Sequence, residues 1–254
     1  MKKTFFLSLL TILSIAISWS QNCVPIGLEI EFFDVNGESK ELYNYNFSYY
    51  PEGGLKEVKI LEKDEATHTL KFEKVASGAK IIWYWDGEYD SHYVVTPTSI
   101  YEFGDDENDV DIKNADDAYS ITIENNKLTK AHYSSSTEQT LSYENDLLVK
   151  AIGHKKNTDK TNKKWMEEYT YTDSTNPLYY LQELGYLYIF SKNFINLNIT
   201  LFKKIPSKNK YTFYENGEEK VGLTNYNYKL KENNCPEEFE SQDKYGKTVY
   251  RFTY

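Results

Sequence analysis

Catalytic signatures are missing from this sequence. It has no Gly-rich phosphate loop and no Gly-x-Ser-x-Gly nucleophile elbow. Its four histidines, His68, His92, His132 and His154, form neither H-x-H nor H-E-x-x-H, so no zinc-enzyme pattern is present. Ser77-Gly78-Ala79-Lys80 matches Ser-x-x-Lys, but it lies in a turn between strands and lacks the partner motifs. Only two cysteines occur, Cys23 and Cys235, and their placement at opposite ends excludes a Cys-x-x-Cys redox site. A basic excess is also missing. With 29 Lys+Arg against 39 Asp+Glu, the net charge of −10 argues against a nucleic-acid binder. Past the N-terminus no apolar run reaches spanning length, and the mean hydropathy of −0.67 excludes a multi-helix membrane protein. No cofactor is implied, and a non-enzymatic protein is expected.

What is present is aromatic. Of 254 residues, 16% are Phe, Trp or Tyr, and Tyr alone accounts for 24. That is enough large apolar surface for a substantial core. The N-terminus carries a different signal. Lys2 and Lys3 precede an apolar stretch from Phe5 to Ile17, and Ser18 and Ser20 supply small residues before Gln21. This is the pattern of a secretory signal peptide over 1–20, cleaved near Ser20-Gln21, and it implies export to the periplasm, cell surface or medium. A single β domain over 21–254 is expected to follow. In an oxidising compartment Cys23 and Cys235 read as a disulfide, since chain ends often lie close in a domain. The competing reading is an acylated lipoprotein Cys23, for which Asn22 is a poor preceding residue.

Period-2 alternation dominates the mature chain. Tyr43, Tyr45, Phe47 and Tyr49 alternate with Asn44, Asn46 and Ser48, which gives one apolar and one wet face. Val58 and Ile60, Leu70 and Phe72, and Ile81, Trp83 and Trp85 continue the pattern, and Tyr250, Phe252 and Tyr254 end it. Asn36-Gly37, Gly53-Gly54, Ser77-Gly78, Asp86-Gly87 and Asn216-Gly217 separate the segments as hairpin turns. A weak repeat of 20 residues aligns Ile121-Thr-Ile123-Glu-Asn125 with Leu141-Ser-Tyr143-Glu-Asn145. It extends through Leu128 with Leu148 and Ala131 with Ala151. The spacing predicts an all-β fold, mainly an antiparallel meander in a curled sheet, open barrel or sandwich. One short helix is expected over 176–185, with Asn176 as cap, Pro177 at its first position and Gly185 at its end. Tyr186 to Phe190 and Asn196 to Phe202 read as strands. Residues 104–117, 155–164 and 203–210 read as exposed loops.

The Tyr-Glu-Asn-x-Leu form at 143–147 resembles the strand-turn-strand units of YD/RHS-type repeats. Asn176-Pro177-Leu178, Ser191-Lys192-Asn193 and the aromatic end at Tyr250 to Tyr254 resemble a family of uncharacterised exported Bacteroidetes proteins. The likeness covers about residues 119–254. Where that family often has Gly-Tyr-Pro, this chain has Asn234-Cys235-Pro236. The resemblance implies an antiparallel β fold and a bacterial envelope address, and it carries no catalytic residues.

Two segments hold candidate site residues. Trp83, Trp85, Asp86, Glu88 and Asp90 combine faces that stack on sugars with carboxylates that accept from hydroxyls. They could bind a glycan or a partner in the envelope, or simply pack a hairpin with an Asp-Gly turn. As a hydrolase pair the carboxyls would need about 5–9 Å separation and one raised pKa, which neighbours on a turn supply poorly. Asp105, Glu107, Asp109 and Asp111 mimic alternate ligands of a calcium loop, but Val110 stands where the sharp turn needs Gly. The leading expectation is an exported, non-enzymatic envelope protein that binds through Tyr/Trp-rich β surfaces. The alternatives are a carbohydrate-active hydrolase on the same scaffold and an outer-membrane β-barrel. Charges on both faces of 56–63 and 69–75, and along 211–221, argue against lipid-facing rows and for a chain not embedded in the membrane.

Overall fold

The alternating segments become sixteen antiparallel strands in a computed structural model of the chain. It describes residues 23–51, 53–62, 65–125, 127–134, 137–155, 163–177, 179, 203–215 and 218–254. The strands are β1 (Gly27–Asp34), β2 (Ser39–Tyr49), β3 (Leu55–Glu62), β4 (Glu65–Val75), β5 (Gly78–Trp85), β6 (Glu88–Val95), β7 (Ser99–Phe103) and β8 (Asp117–Glu124). They continue as β9 (Lys127–Ser134), β10 (Thr137–Glu144), β11 (Leu147–Lys155), β12 (Lys163–Thr175), β13 (Lys204–Glu215), β14 (Glu218–Leu230), β15 (Pro236–Gln242) and β16 (Gly246–Thr253). Each strand pairs with its chain neighbours, and β1 pairs with β16, so the meander closes into a barrel. The expected all-β antiparallel fold is therefore present, in a closed form.

The hairpins turn where short residues tolerate a left-handed backbone. Asp86 and Gly87 have φ of 47° and 86°, the two positive values that a two-residue turn matching strand twist requires. The 20-residue repeat is two successive hairpins, β8–β9 and β10–β11. Asn125 and Asn145 take the same left-handed position, with φ of 51° and 48°. Ile121 and Leu141, Leu128 and Leu148, and Ala131 and Ala151 are all buried in equivalent places.

Alternation then decides which side chains enter the barrel. Leu28, Ile30, Tyr45, Phe47, Val58, Ile60, Leu70, Phe72 and Ile81 point inward from β1–β5. They join Leu141, Leu148, Ala151, Tyr169, Phe239, Tyr250 and Phe252 in one continuous core. Sixteen strands in a round barrel leave an aqueous channel. Here Val58 and Leu148 are 0% exposed and Tyr45 and Phe239 1%, so no open channel runs past these positions. Burying each such side chain contributes about 1.5–3 kcal/mol.

The outward positions are charged. Arg251, the only arginine in the sequence, reaches Glu29, lies 3.0 Å from Glu31 and 3.2 Å from Glu238, and so ties β16 to both neighbours. Lys130 pairs with Glu138 at 2.8 Å, Lys150 with Glu168 at 3.3 Å and Lys229 with Glu238 at 2.7 Å, each across adjacent strands. Lys208 and Lys210 belong to this wall as well. The stretch expected as a loop at 203–210 is mostly β13, because its charges fall on alternate, outward positions around inward Asn209.

The bridge between Cys23 and Cys235 is formed, with Cα atoms 5.5 Å apart. It joins the segment leading into β1 to the loop before β15, and leaves Cys23 no thiol to acylate. The expected signal over 1–20 lies outside the described residues. So do the strand readings at 186–190 and 196–202, the turn at Asn216-Gly217 and residues 156–162 of the loop expected at 155–164, whose ends belong to β11 and β12. Of the helix expected over 176–185, only Asn176, Pro177 and Tyr179 are described. Asn176 is buried, its amide donates to the Lys203 carbonyl at 3.1 Å, and its own carbonyl accepts from Tyr179 at 3.1 Å, which makes one turn.

Replacing Cys23 and Cys235 together by Ser should cost about 2–5 kcal/mol, since the bridge removes entropy from a very long unfolded loop. Urea unfolding of the oxidised chain and the double variant measures this, and equal midpoints would contradict it.

Candidate functional site

The residues singled out at 83–90 form the β5–β6 hairpin but do not converge into a cleft. Trp83 faces inward and is half-buried, with its Nε1 donating to His68 Nδ1 at 3.0 Å. Trp85 is 53% exposed at the rim and stands edge-on to His68 at 4.3 Å. Asp86, Glu88 and Asp90 are exposed along the hairpin, and Asp90 accepts from Ser91 Oγ at 3.0 Å. Burial lowers the pKa of His68, against the opposing pull of Asp86, Glu62 and Asp90.

The acidic segment after β7 is the exposed loop expected at 104–117, and it is tied down along its length. It folds back over the outer face of β5–β7 and covers outward Ile82, Val94 and Phe103, which are 2%, 0% and 2% exposed. Lys80 Nζ donates to the Glu107 carbonyl, and Tyr84 OH donates to Glu107 Oε1 at 2.5 Å. His92, 0% exposed, stacks on Phe103 with rings 4.6 Å apart. Its Nε2 lies 2.6 Å from the Asp109 carbonyl. A carbonyl only accepts, so Nε2 carries the proton and Nδ1 accepts from Tyr89 OH at 2.9 Å. Three of the four carboxylates proposed for calcium, Glu107, Asp109 and Asp111, already accept hydrogen bonds within the protein. Asp109 accepts from the Asp111 amide at 2.8 Å, Asp111 from the Lys113 amide at 3.1 Å, and Asp116 from the Gly104 amide at 2.7 Å. Among the described residues no group of three or more His, Cys, Asp or Glu is placed to hold a metal ion, so Asp105, Glu107, Asp109 and Asp111 are not brought together as ligands.

The tyrosines also differ from the expected binding surface. Among the described residues many face the interior, and several end on main-chain carbonyls: Tyr49 on Pro25 at 2.5 Å, Tyr50 on Phe72 at 2.6 Å, Tyr143 on Leu128 at 3.0 Å and Tyr254 on Pro236 at 2.6 Å. Tyr171 makes the same bond to Leu148. A phenol buries its ring and must still satisfy its hydroxyl, and a strand-end carbonyl meets that need.

The inner surface of β10–β14 is where polar groups gather. Gln139 is 0% exposed, and neither of its amide atoms has a hydrogen-bond partner. Asn209 and Tyr211 are 7% and 8% exposed, and Asn209 Oδ1 and the Tyr211 hydroxyl likewise lack partners. Glu167 lies between these groups, opposite Tyr211, and accepts from Asn209 Nδ2 at 3.4 Å and from Tyr169 OH. Two glycines shape this wall. A Cβ on Gly153 would sit 2.3 Å from Trp165 Nε1, and one on Gly222 would sit 2.0 Å from Tyr211 Cζ. The Trp165 indole and the phenol end of Tyr211 therefore lie directly over backbone. Sequence reasoning missed this cluster. Its one legible trace is polar Gln139, Glu167 and Asn209 at inward positions of alternating strands.

No protein-family model and no curated relative matches the chain. Among solved structures it is similar to a porin-like protein from Bacteroides uniformis. That likeness has 11% identity and a TM-score of 0.50, and covers 90% of this chain and 97% of the other. A porin-like protein from Bacteroides vulgatus matches with 11% identity and a TM-score of 0.37, over 89% of this chain and 97% of that one. The first of these shows a shared β-barrel fold.

His92 should latch the acidic segment in a pH-dependent way. Burial holds its pKa below the ordinary 6.5, with Lys80 adding to the shift and the Asp109 carbonyl and the charges of Asp106 and Asp109 opposing it. Folded His92 then protonates at lower pH than it does unfolded. Its contribution is complete above about pH 6.5 and is lost as pH falls towards the folded value. NMR titration should show a His92 midpoint below 6.5, with amide signals of 105–111 shifting in step. Loop amides indifferent to His92 protonation would refute the latch.

Proposed function

We propose that this chain is an exported, non-enzymatic binding protein of the bacterial envelope, built on a porin-like barrel whose wall faces water. The observation that carries this is the direction of the side chains. An outer-membrane barrel presents an apolar band about 25 Å tall to lipid and keeps its interior polar. Here Arg251, Glu29, Glu31, Glu238, Lys150 and Glu168 occupy the outward side, while Leu28, Ile30, Val58, Ile60 and Leu148 fill the inside. Each Lys or Arg at the bilayer midplane would cost about 2–4 kcal/mol. Export is supported by the signal pattern before Gln21 and by a disulfide, which persists in oxidising compartments.

The second reading is an outer-membrane barrel. It is favoured by the even strand number, the nearest-neighbour meander, the pairing of first and last strands and the porin-like fold. A hydrolase has less support, because Asp86, Glu88 and Asp90 lie exposed rather than paired in an enclosed site.

Fractionation separates the first two readings. The mature chain, exported in a Gram-negative host, should appear in the soluble fraction after a carbonate wash. Retention in the membrane pellet, with heat-modifiable migration on gels, would favour the embedded barrel and overturn the proposal.

A further inference from the structure

We infer that the barrel rim around the Cys23–Cys235 bridge is a lipid-docking surface, made by Val24, Ile26, Tyr228 and Leu230 and seated reversibly on a bilayer. The inference rests on the reading of this chain as an envelope protein with a water-facing wall, and names a surface on which it meets that envelope. Antiparallel order puts the starts of the odd-numbered strands and the ends of the even-numbered ones at one rim. Val24 and Ile26 lead into β1 there and are 38% and 50% exposed, while Tyr228 and Leu230 close β14 and are each 39% exposed. Leu230 is the register partner of Pro236. The residue before Pro236, Cys235, is bonded to Cys23, and Val24 follows Cys23. The Ile26 amide donates to the Thr253 carbonyl and the Lys231 amide to the Cys235 carbonyl, both at 2.8 Å. Single exposed apolar side chains are ordinary. These are gathered about one disulfide and carried on fixed backbone.

The charge around this rim and the chain that leaves it point to lipid. The wall carries ion pairs, and the opposite rim bears Asp86 and the acidic segment at 104–116, so neither suits a bilayer. Most connections at the disulfide rim are turns of two to five residues, charged only at Glu52, Asp146, Lys231 and Glu232. The long one, 176–203, leaves β12 and re-enters at β13, the strand beside β14. Both its ends are held at this rim, because the Asn176 amide donates to the Lys203 carbonyl at 3.1 Å. Of its residues 180–202 only Glu183 and Lys192 are charged, in a sequence that is 27% charged. The chain's least charged stretch after the N-terminus is thus anchored beside its exposed apolar rim. Lys231 follows Leu230 and lies over the Tyr254 ring at 4.8 Å. Tyr and Lys beside aliphatic side chains are what the membrane interface favours, the ring and the stem lying low and the ammonium among headgroups. A bilayer needs apolar groups at one level and no shaped groove, and binding grows with the apolar area it covers.

Tryptophan quenching on the full mature chain tests this, with phosphatidylcholine vesicles whose acyl chains carry bromine. Trp83, Trp85 and Trp165 all lie towards the opposite rim, at the end of β5 and the start of β12, and serve as internal controls. The chain should sediment with the vesicles and be released by carbonate. The Leu230→Trp variant should gain emission that bromine quenches, while the three native tryptophans keep theirs. Thr140→Trp, on the outward side of the wall, should stay unquenched. Ile26→Asp combined with Leu230→Asp should lower vesicle binding by about ten-fold or more, with the melting temperature unchanged because both positions are exposed. Should the double variant unfold, quenching of Leu230→Trp carries the test alone. No sedimentation with vesicles would leave the rim to water or to a protein partner and would overturn the inference alone. Quenching of the native tryptophans without Leu230→Trp, or full binding by the folded double variant, would overturn it too. Quenching at Thr140→Trp that survives carbonate would overturn the water-facing wall and this docking surface together, so the two failures are distinguishable.

Discussion

The pairing of β1 with β16 is the contact on which the rest of the structure depends. Without it the meander would be an open sheet with two edges, each a row of unpaired amides and carbonyls. The seam runs the whole length of β1, from Gly27 opposite Thr253 to Asp34 opposite Gly246. Both ends are glycine for a physical reason. A Cβ on Gly246 would stand 2.2 Å from the Phe33 carbonyl oxygen, and one on Gly27 would stand 3.3 Å from Thr253 Cβ. Arg251 bridges the seam on the outside by holding Glu29 and Glu31 of β1 from β16. The Cys23–Cys235 bridge then anchors the entry to β1 beside the loop before β15. Backbone, ion pair and covalent bond thus act on the same junction.

Closure turns alternation into an inside and an outside. Each strand has period 2, so a one-residue slip anywhere would drive a row of charges inward. The register is pinned by hairpin turns at Asp86-Gly87 and Asn145-Asp146, where left-handed backbone suits the strand twist. Tyrosine then solves a problem of large interiors. It fills volume as Phe does, yet its hydroxyl reaches a carbonyl at the strand end, as Tyr143 and Tyr171 do one hairpin apart. Outside, β5–β7 break the rule. Ile82, Val94 and Phe103 are outward and apolar, and the chain resolves the conflict by folding its own acidic segment over them.

Much of this was legible before the structure. Alternation at 43–49 and 81–85, the Asx and Gly turns, the repeat at 121–131 and 141–151 and the disulfide are all local or countable signals. Closure was not legible, because no residue in β1 announces that its partner lies more than 200 positions away. The lone arginine was a clue that composition alone could not interpret. The segment at 104–117 is the exposed loop it reads as, up to the start of β8 at Asp117, whereas 203–210 read as a loop only because charge was taken for exposure. In the first, the charges cover an apolar patch that alternation had left outside. In the second, they are one face of a strand. The Trp83–Asp90 cluster was visible as composition, but its side chains diverge once the hairpin forms. The inward polar positions were hidden because Gln139, Glu167 and Asn209 come from separate strands and share one inner face only once the sheet forms.

The two halves of the barrel interior follow different rules. Inward positions of β1–β5 are almost wholly apolar, as Leu28, Tyr45, Val58, Leu70 and Ile81 show. Inward positions of β10–β14 mix Leu141 and Ala151 with Gln139, Glu167 and Asn209. A packed core gains nothing from that mixture. Leaving one such group unpaired costs about 1–3 kcal/mol, and an apolar residue of similar shape would avoid it. Gly153 and Gly222 add to the cost, since glycine weakens strand interiors. Both glycines lie under aromatic rings of this same face. The wall of β10–β14 therefore carries local costs that the first half of the barrel avoids.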